Sequence, residues 1–371
     1  MQPSISECDY RELWARYQRQ PCPVISDRSQ VYIWGTGSFG QSVYRVLRDA
    51  KVTVAGFVET KPSNSRLLDI PIVPLDTYTP SESDVVTIAI HNRETPLDGL
   101  ADTLHRHGVQ HALFPWDIAR LYPAQLGWKY WLSSPDEIIA NRDRIVRLHE
   151  RLADDESKRC LYRIVAFRLG LEIEYASFKH DEIQYFNYLI LDALPQRPIR
   201  YVDGGAFDGG SLDELMLYRS VAQAFLFEPD QRNFRLLTER LRDCPFPIVR
   251  LPLGLSDRYR IESFSGNQGE GCAISTSGTD YVACASLDEV LGRTEVDFIK
   301  LDVEGAEIAA LSGASDILRA SRPVLAISLY HMPDHLWAIP ETIDRIQSGY
   351  KFYIRQHCAN SFDSVLYAIS A

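Results

Sequence analysis

The chain has 371 residues, 45% of them hydrophobic and 24% charged, with a net charge of -11. That length allows more than one core at ~150 residues per domain, and the acidic balance excludes a nucleic-acid binder, which would show a basic face. No apolar run reaches the ~18–20 residues of a membrane span, the opening stretch MQPSISECDYRELWARYQRQ lacks a basic-then-apolar signal pattern, and the seven scattered cysteines form no C-x-x-C pair.

The odd cysteine count fits a reducing compartment, so the expectation is a soluble cytoplasmic protein. Residues 1–30 read as an N-terminal helical segment. VYIW (31–34) is a strand ending at a glycine turn, and Phe39, Val43, Val46 and Leu47 then repeat at helical spacing. VTVAGFVE (52–59), DVVTIAI (84–90) and HALFP (111–115) follow as strands, which makes 31–118 a smaller Rossmann-like α/β domain. GTGSFG (35–40) follows a strand and opens a helix, and Glu59 ends the next strand, the context a dinucleotide fingerprint requires. The same turn serves any tight strand–helix junction, and no second βαβ half follows. A scaffold that keeps the turn for packing is the expectation, with a nucleotide or nucleotide-sugar ligand as the alternative.

Residues 119–196 carry no strand signal and read as a helical connector without chemistry. Ser134 caps a helix with Pro135 at its first position and Glu137 completing a capping box. Ile138, Ile145 and Leu152 form one apolar stripe.

From 197 to 371 strands and helices alternate again. RYVDGG (200–205), AFLFEPD (224–230), IVRLPLGLS (248–256), VDFIKLDVEG (296–305) and PVLAISLY (323–330) are near-continuous apolar runs, as in parallel strands covered on both faces. KFYIRQHC (351–358) and DSVLYAIS (363–370) are joined by a link too short for a crossover helix, so they pair antiparallel. The expected architecture is a seven-stranded mixed sheet with a terminal hairpin.

YVDGGAFDGGS (201–211) has the glycine density of a phosphate cradle, yet it carries Asp203 and Asp208. Ligands of open α/β sheets bind beyond the carboxyl ends of the strands. Ser211 reads as the cap of the following helix, with Glu214 closing a capping box. Two carboxylates beside a pyrophosphate would repel it by on the order of several kcal/mol in a partly desolvated cleft, and would favour a cation. S-adenosylmethionine, with a sulfonium, an ammonium and no phosphate, meets that demand. Glu228 at the next strand's end suits two ribose hydroxyls, and Pro229 ends that strand. The bland alternative is that Asp203 and Asp208 cap turns. IKLDVEGAE (299–307) adds Asp302, Glu304 and Glu307 at the fourth strand's carboxyl end, where first-turn helix chemistry suits Glu307 better than Asp302.

VDGGAFDGGS, FEPD, GLSD, SLDE, IKLDVEGAE and ISLYHMPDHLWAIPETI follow one another in an order that resembles the FkbM-type methyltransferases, class I S-adenosylmethionine-dependent enzymes. The resemblance covers roughly the last half of the chain. It implies a Rossmann-like class I fold, with cofactor contacts at Asp203, Gly204 and Gly205 (not assigned separately), Asp208, Ser211, Glu228, Pro229, Asp257 and Asp302. It implies a structural or substrate-facing role for Asp302, Glu304 and Glu307, and places Ser328 to Trp337 at the edge of the acceptor pocket, with Tyr330, His335 and Trp337 as substrate-facing candidates. The general base is His331 or Asp302, with His331 favoured because its unperturbed pKa lies near working pH. His331 and His335 are spaced i,i+4, but Pro333 intervenes and no third ligand is evident, so no metal is assigned.

The expected function is methyl transfer to a hydroxyl of a sugar, glycan or related small molecule, as in polysaccharide biosynthesis. Two alternatives remain open: a nicotinamide-dependent sugar oxidoreductase using GTGSFG, which lacks a Tyr-x-x-x-Lys pair, and a non-catalytic S-adenosylmethionine-binding or assembly module. The partner is a small-molecule or glycan acceptor, and the connector leaves a homo-oligomer open.

Overall fold

Apolar runs alternate with amphipathic helices in both halves of the chain, and each half builds its own sheet. The computed structural model describes residues 5–265, 273–274 and 280–370. The chain divides into two units. The first comprises Met1–Val146, Lys158–Lys179 and Cys358–Phe362, and the second Arg147–Ser157, His180–His357 and Asp363–Ala371. The stretch 119–196, expected as one connector, is therefore shared between the two units.

In the first unit the strands are β1 Gln30–Trp34, β2 Val54–Glu59, β3 Arg66–Leu67, β4 Ile70–Pro74, β5 Asp84–Ile88 and β6 His111–Leu113, in spatial order β3-β4-β2-β1-β5-β6. All pairings are parallel except β3 with β4. The helix Ser38–Asp49 buries Phe39, Val43, Val46 and Leu47, the stripe its sequence spacing predicts. The N-terminal helix Glu7–Arg19 buries Tyr10, Leu13, Trp14 and Tyr17. Ser134 caps the helix Pro135–Ala140 by accepting from the Asp136 amide. Ile138, Ile145 and Leu152 are buried, but the helix breaks at Asn141, so the stripe is not one continuous face.

The second unit holds β7 Ile199–Gly204, β8 Val221–Phe227, β9 Ile248–Leu251, β10 Gly254–Leu255, β11 Arg260–Ser265, β12 Ala273–Ile274, β13 Asp280–Ala285, β14 Phe298–Leu301, β15 Val324–Ser328, β16 Tyr350–Gln356 and β17 Ser364–Ser370. Its main sheet has seven strands in the order β16-β17-β15-β14-β7-β8-β9. β17 lies antiparallel between β15 and β16, and the remaining pairs are parallel. This is the mixed sheet with terminal hairpin read from the sequence. The run at 248–256 splits into β9 and β10 around Pro252, whose missing N–H interrupts a ladder. A second sheet, β10-β13-β11-β12, was not anticipated, because β11 and β13 mix polar with apolar residues and expose Ile261 and Tyr281.

Among the described residues no cysteine is in a disulfide, and Cys272 lies outside the described residues. Among the described residues no helix is long and apolar enough to cross a membrane.

Candidate active site

The parallel register of β7 and β14 sets Asp203 opposite Lys300 and Gly204 opposite Leu301. This separates the two glycines of the turn. Gly204 is the last strand residue, while Gly205 turns the chain with φ +74°, and a Cβ there would lie 1.9 Å from the Asp302 carbonyl oxygen. Only glycine satisfies both demands. The following helix, Gly210–Met216, is capped by Gly209 in the left-handed region at φ 87°. Ser211 is thus not the cap, and Glu214 closes no capping box. Asp208 Oδ1 already accepts from the Gly210 amide at 3.0 Å, which starts the helix ahead of the serine.

Both acids of the turn have cationic partners. Asp203 is fully buried against Lys300, Oδ1 to Nζ 2.9 Å, and the same ammonium donates to the Gly205 carbonyl at 2.8 Å. Burial opposes the charged lysine, but Asp203, Asp302 and Glu228 hold its pKa above the usual value. Asp208 pairs with Arg240 at 2.7 Å. The turn is therefore not a pair of unbalanced negative charges, as the sequence argument supposed, because Lys300 and Arg240 come from elements remote in sequence.

Glu228 follows β8, and no lysine or arginine is bonded to it among the described residues. Its Oε2 accepts from the Phe207 amide and its Oε1 from the Asp230 amide, each at 2.9 Å. Burial pushes its pKa up to about 7, against the lowering effect of those amides. Pro229 follows the strand end, and Asp230 caps the helix Gln231–Arg240. Asp257, expected at the cofactor, sits on an exposed bend and pairs with Arg260 at 2.7 Å rather than with this turn.

Beyond β14 the chain bends sharply, with Glu304 at φ 51° and Gly305 at φ 104°. Glu307, fully buried, closes that bend by accepting from the Val303 and Gly305 amides at 3.0 and 3.1 Å. It also faces His331 Nδ1 at 2.7 Å and His335 Nδ1 at 3.2 Å. The other His331 nitrogen lies 3.4 Å from Asp302 Oδ1 and 3.6 Å from Glu304 Oε1. Burial lowers the His331 pKa, but these three carboxylates outweigh it and raise it to about 10. At neutral pH His331 is an imidazolium, which has no lone pair with which to accept a proton. That reverses the sequence preference for His331 over Asp302 as base.

Asp302 Oδ1 accepts from Ser328 Oγ at 2.7 Å and from the Tyr330 hydroxyl at 3.2 Å. Its side chain is 26% exposed. Burial raises its pKa, but His331 and Lys300 more than offset this and leave it lowered. Tyr185 stands behind this group, its hydroxyl 3.2 Å from Ser328 Oγ and its ring 5.2 Å from Lys300 Nζ.

The residues expected to face an acceptor divide sharply. Glu304 keeps a side-chain exposure of 17%. Tyr330, His335, Trp337 and Glu307 are buried at 2% or less. The helix His335–Ile346 buries His335, Leu336 and Trp337 in its first turn.

The first unit's turn is built on different partners. Gly35 has φ 119°, and a Cβ there would lie 2.8 Å from the Ala89 carbonyl oxygen. The Thr36 amide and hydroxyl donate to Glu59 Oε2 at 3.2 and 2.8 Å, and the Thr60 amide to Oε1 at 3.0 Å. Glu59 thus closes its own turn.

A seven-stranded sheet of this order, with a glycine turn and acids at the carboxyl ends of its central strands, is the fold of class I methyltransferases. Residues 205–355 match the methyltransferase FkbM domain. The hexuronic acid methyltransferase AglP of Haloferax volcanii is 32% identical over 105 residues, 27% of this chain and 44% of that protein. The match thus spans less than half the length of that curated relative. A crystal structure of methyltransferase FkbM from Methylobacillus flagellatus KT has the same fold, with TM-score 0.73 at 23% identity, covering 98% of this chain and 94% of that one.

Proposed function

We propose that the protein is an S-adenosylmethionine-dependent O-methyltransferase that modifies a hydroxyl of a sugar or glycan. The observation that carries this reading is the pair of acids flanking the glycine turn. Glu228 is a buried carboxylate fixed at the next strand's end by two backbone amides and the Asn233 side chain, a position that suits a ribose hydroxyl. Asp302 is a partly exposed carboxylate at the neighbouring strand's tip. These residues fit the cofactor, with Gly205 keeping the turn tight beside them.

When bound, S-adenosylmethionine supplies an electrophilic methyl group on a cationic sulfur. The chain's own contribution is alignment and proton removal. Asp302 Oδ1 accepts from Ser328 and Tyr330, which fixes the carboxylate that accepts the hydroxyl proton. Its lowered pKa keeps it ionised but makes it a weak base, so its contribution falls toward the low end of the ~10²–10⁴-fold range. His331 fixes Asp302 and Glu304 as an imidazolium anchored on Glu307. The first unit is read as a scaffold, since Glu59 is committed to Thr36.

The match to a hexuronic acid methyltransferase supports a sugar acceptor. Asp302 and Glu304 at the open edge disfavour bringing an acceptor carboxylate to the reacting position, which favours a hydroxyl. The test is incubation with methyl-labelled S-adenosylmethionine and a panel of uronic-acid-containing glycans. Base-stable label, a methyl ether, is expected. Base-labile label would mean carboxyl methylation and contradict the hydroxyl assignment, and no transfer to any sugar would remove the acceptor class.

A further inference from the structure

Lys300 sits in the middle of the main sheet, on a strand whose four residues are all buried, and is itself 2% exposed. A lysine there needs partners for three protons. Asp203 Oδ1 takes one at 2.9 Å and the Gly205 carbonyl another at 2.8 Å. The face of the Tyr185 ring, 5.2 Å from Nζ, accommodates the remaining charge.

Those partners belong to both halves of the site. Asp203 and Gly205 are the strand end and the pivot of the cofactor turn. Tyr185 leads through Ser328 to Asp302, with hydroxyl contacts of 3.2 and 2.7 Å. We propose that Lys300 is a positioning residue for methyl transfer, holding the cofactor turn through Asp203 and Gly205 and bracing the Asp302 carboxylate through Tyr185 and Ser328. The proposal rests on the S-adenosylmethionine reading above.

Stability alone gives little reason for a buried ion pair here. Two apolar residues of similar volume would avoid the desolvation of both ions and are often as stable or more so. The first unit builds its glycine turn with the fully buried Ile33 two residues ahead of Gly35, where the second unit has Asp203 ahead of Gly205.

The test compares wild type, Lys300→Met and the double variant Asp203→Asn/Lys300→Met by thermal melting and by calorimetric titration with S-adenosylmethionine and S-adenosylhomocysteine. Lys300→Met leaves Asp203 buried without its cation and hydrogen-bond donor, so it melts lower. The double variant removes both charges and recovers the melting temperature. The expected result is that the double variant nonetheless binds both ligands at least tenfold more weakly than wild type, because the turn has lost its brace. Its single-turnover rate also begins to fall at a higher pH than in wild type as pH drops, since Asp302 has lost a cationic neighbour. Recovery of melting temperature and both affinities together would overturn the proposal and leave Lys300 a charge balance only. A wild type that binds neither ligand would sink the cofactor reading itself, an outcome distinct from that one.

Discussion

The two units contain the same turn made from different residues. In each, a central strand ends in a positive-φ glycine whose missing Cβ admits a carbonyl oxygen from the residue just after the neighbouring strand: Ala89 for Gly35, Asp302 for Gly205. In each, a glutamate closes the end of the next strand on the other side, Glu59 or Glu228, by accepting backbone amides. The difference lies beneath and beside the turn. The first unit has Ile33 and Ala89, both buried and apolar. The second has Asp203, paired to a buried lysine, and Asp302, held by a serine, a tyrosine and an imidazolium. The strand–turn–helix frame needs only packing. The charges are additions that cost desolvation and that packing does not require.

That contrast can be broken at several points. The largest effect is expected at Asp302: Asp302→Asn lowers kcat by ~10²–10⁴-fold while the S-adenosylmethionine dissociation constant stays within a few-fold, measured by single-turnover kinetics and calorimetry. An active variant would return the proton-acceptor role to another group.

Glu228 comes next. Losing hydrogen bonds to a charged carboxylate costs about 1.5–3 kcal/mol each, so Glu228→Gln weakens the cofactor by ~10–100-fold, whereas Glu59→Gln leaves it unchanged. The same residue sets a pH dependence. Its folded pKa, raised by burial to about 7, means that the carboxylate is protonated below that pH. Cofactor affinity should therefore fall as pH drops from 8 to 6, and calorimetry with the Gln variant should lose this dependence.

A smaller effect tests the packing role of the first turn. A Cβ on Gly40 would lie 2.0 Å from the Gly35 carbonyl oxygen. Gly40→Ala should destabilise by ~1–3 kcal/mol through overpacking, read by urea unfolding, with unchanged cofactor affinity. The smallest effect belongs to Ser211. It lies inside the helix rather than capping it, so Ser211→Ala should stay within ~0.5 kcal/mol, while loss of a true cap would cost ~1 kcal/mol.

Much of the frame was legible because it is written in local pattern. The apolar runs ending at Gly204, Phe227, Leu301 and Ser328 are the central strands of the main sheet, and the short link before Ser364 forced an antiparallel hairpin. Partnership across the sheet was less legible. Lys300 looked like one polar residue in an apolar run, and only its register with Asp203 explains it. Tyr185 fell in a stretch read as devoid of chemistry, and its contact with Ser328 joins residues 143 apart in sequence. Glu307 looked like a helix-start acid. Its two histidine partners become visible only when the loop after β15 folds over it, and that same fold changes His331 from a free base into a bound cation. The helix cap was misplaced for a simpler reason: Gly209 accepts a left-handed conformation that the serine-cap pattern did not compete against.

The account turns on whether the second unit's acids receive a phosphate-free cationic cofactor. Calorimetric titration of the wild type and Glu228→Gln with S-adenosylmethionine at pH 8, beside NAD, tests this most directly. One-to-one binding of S-adenosylmethionine by wild type, at least tenfold weaker in the variant and with no heat from NAD, is the predicted result. Binding of NAD alone, or equal S-adenosylmethionine affinity with and without the Glu228 carboxylate, would contradict it.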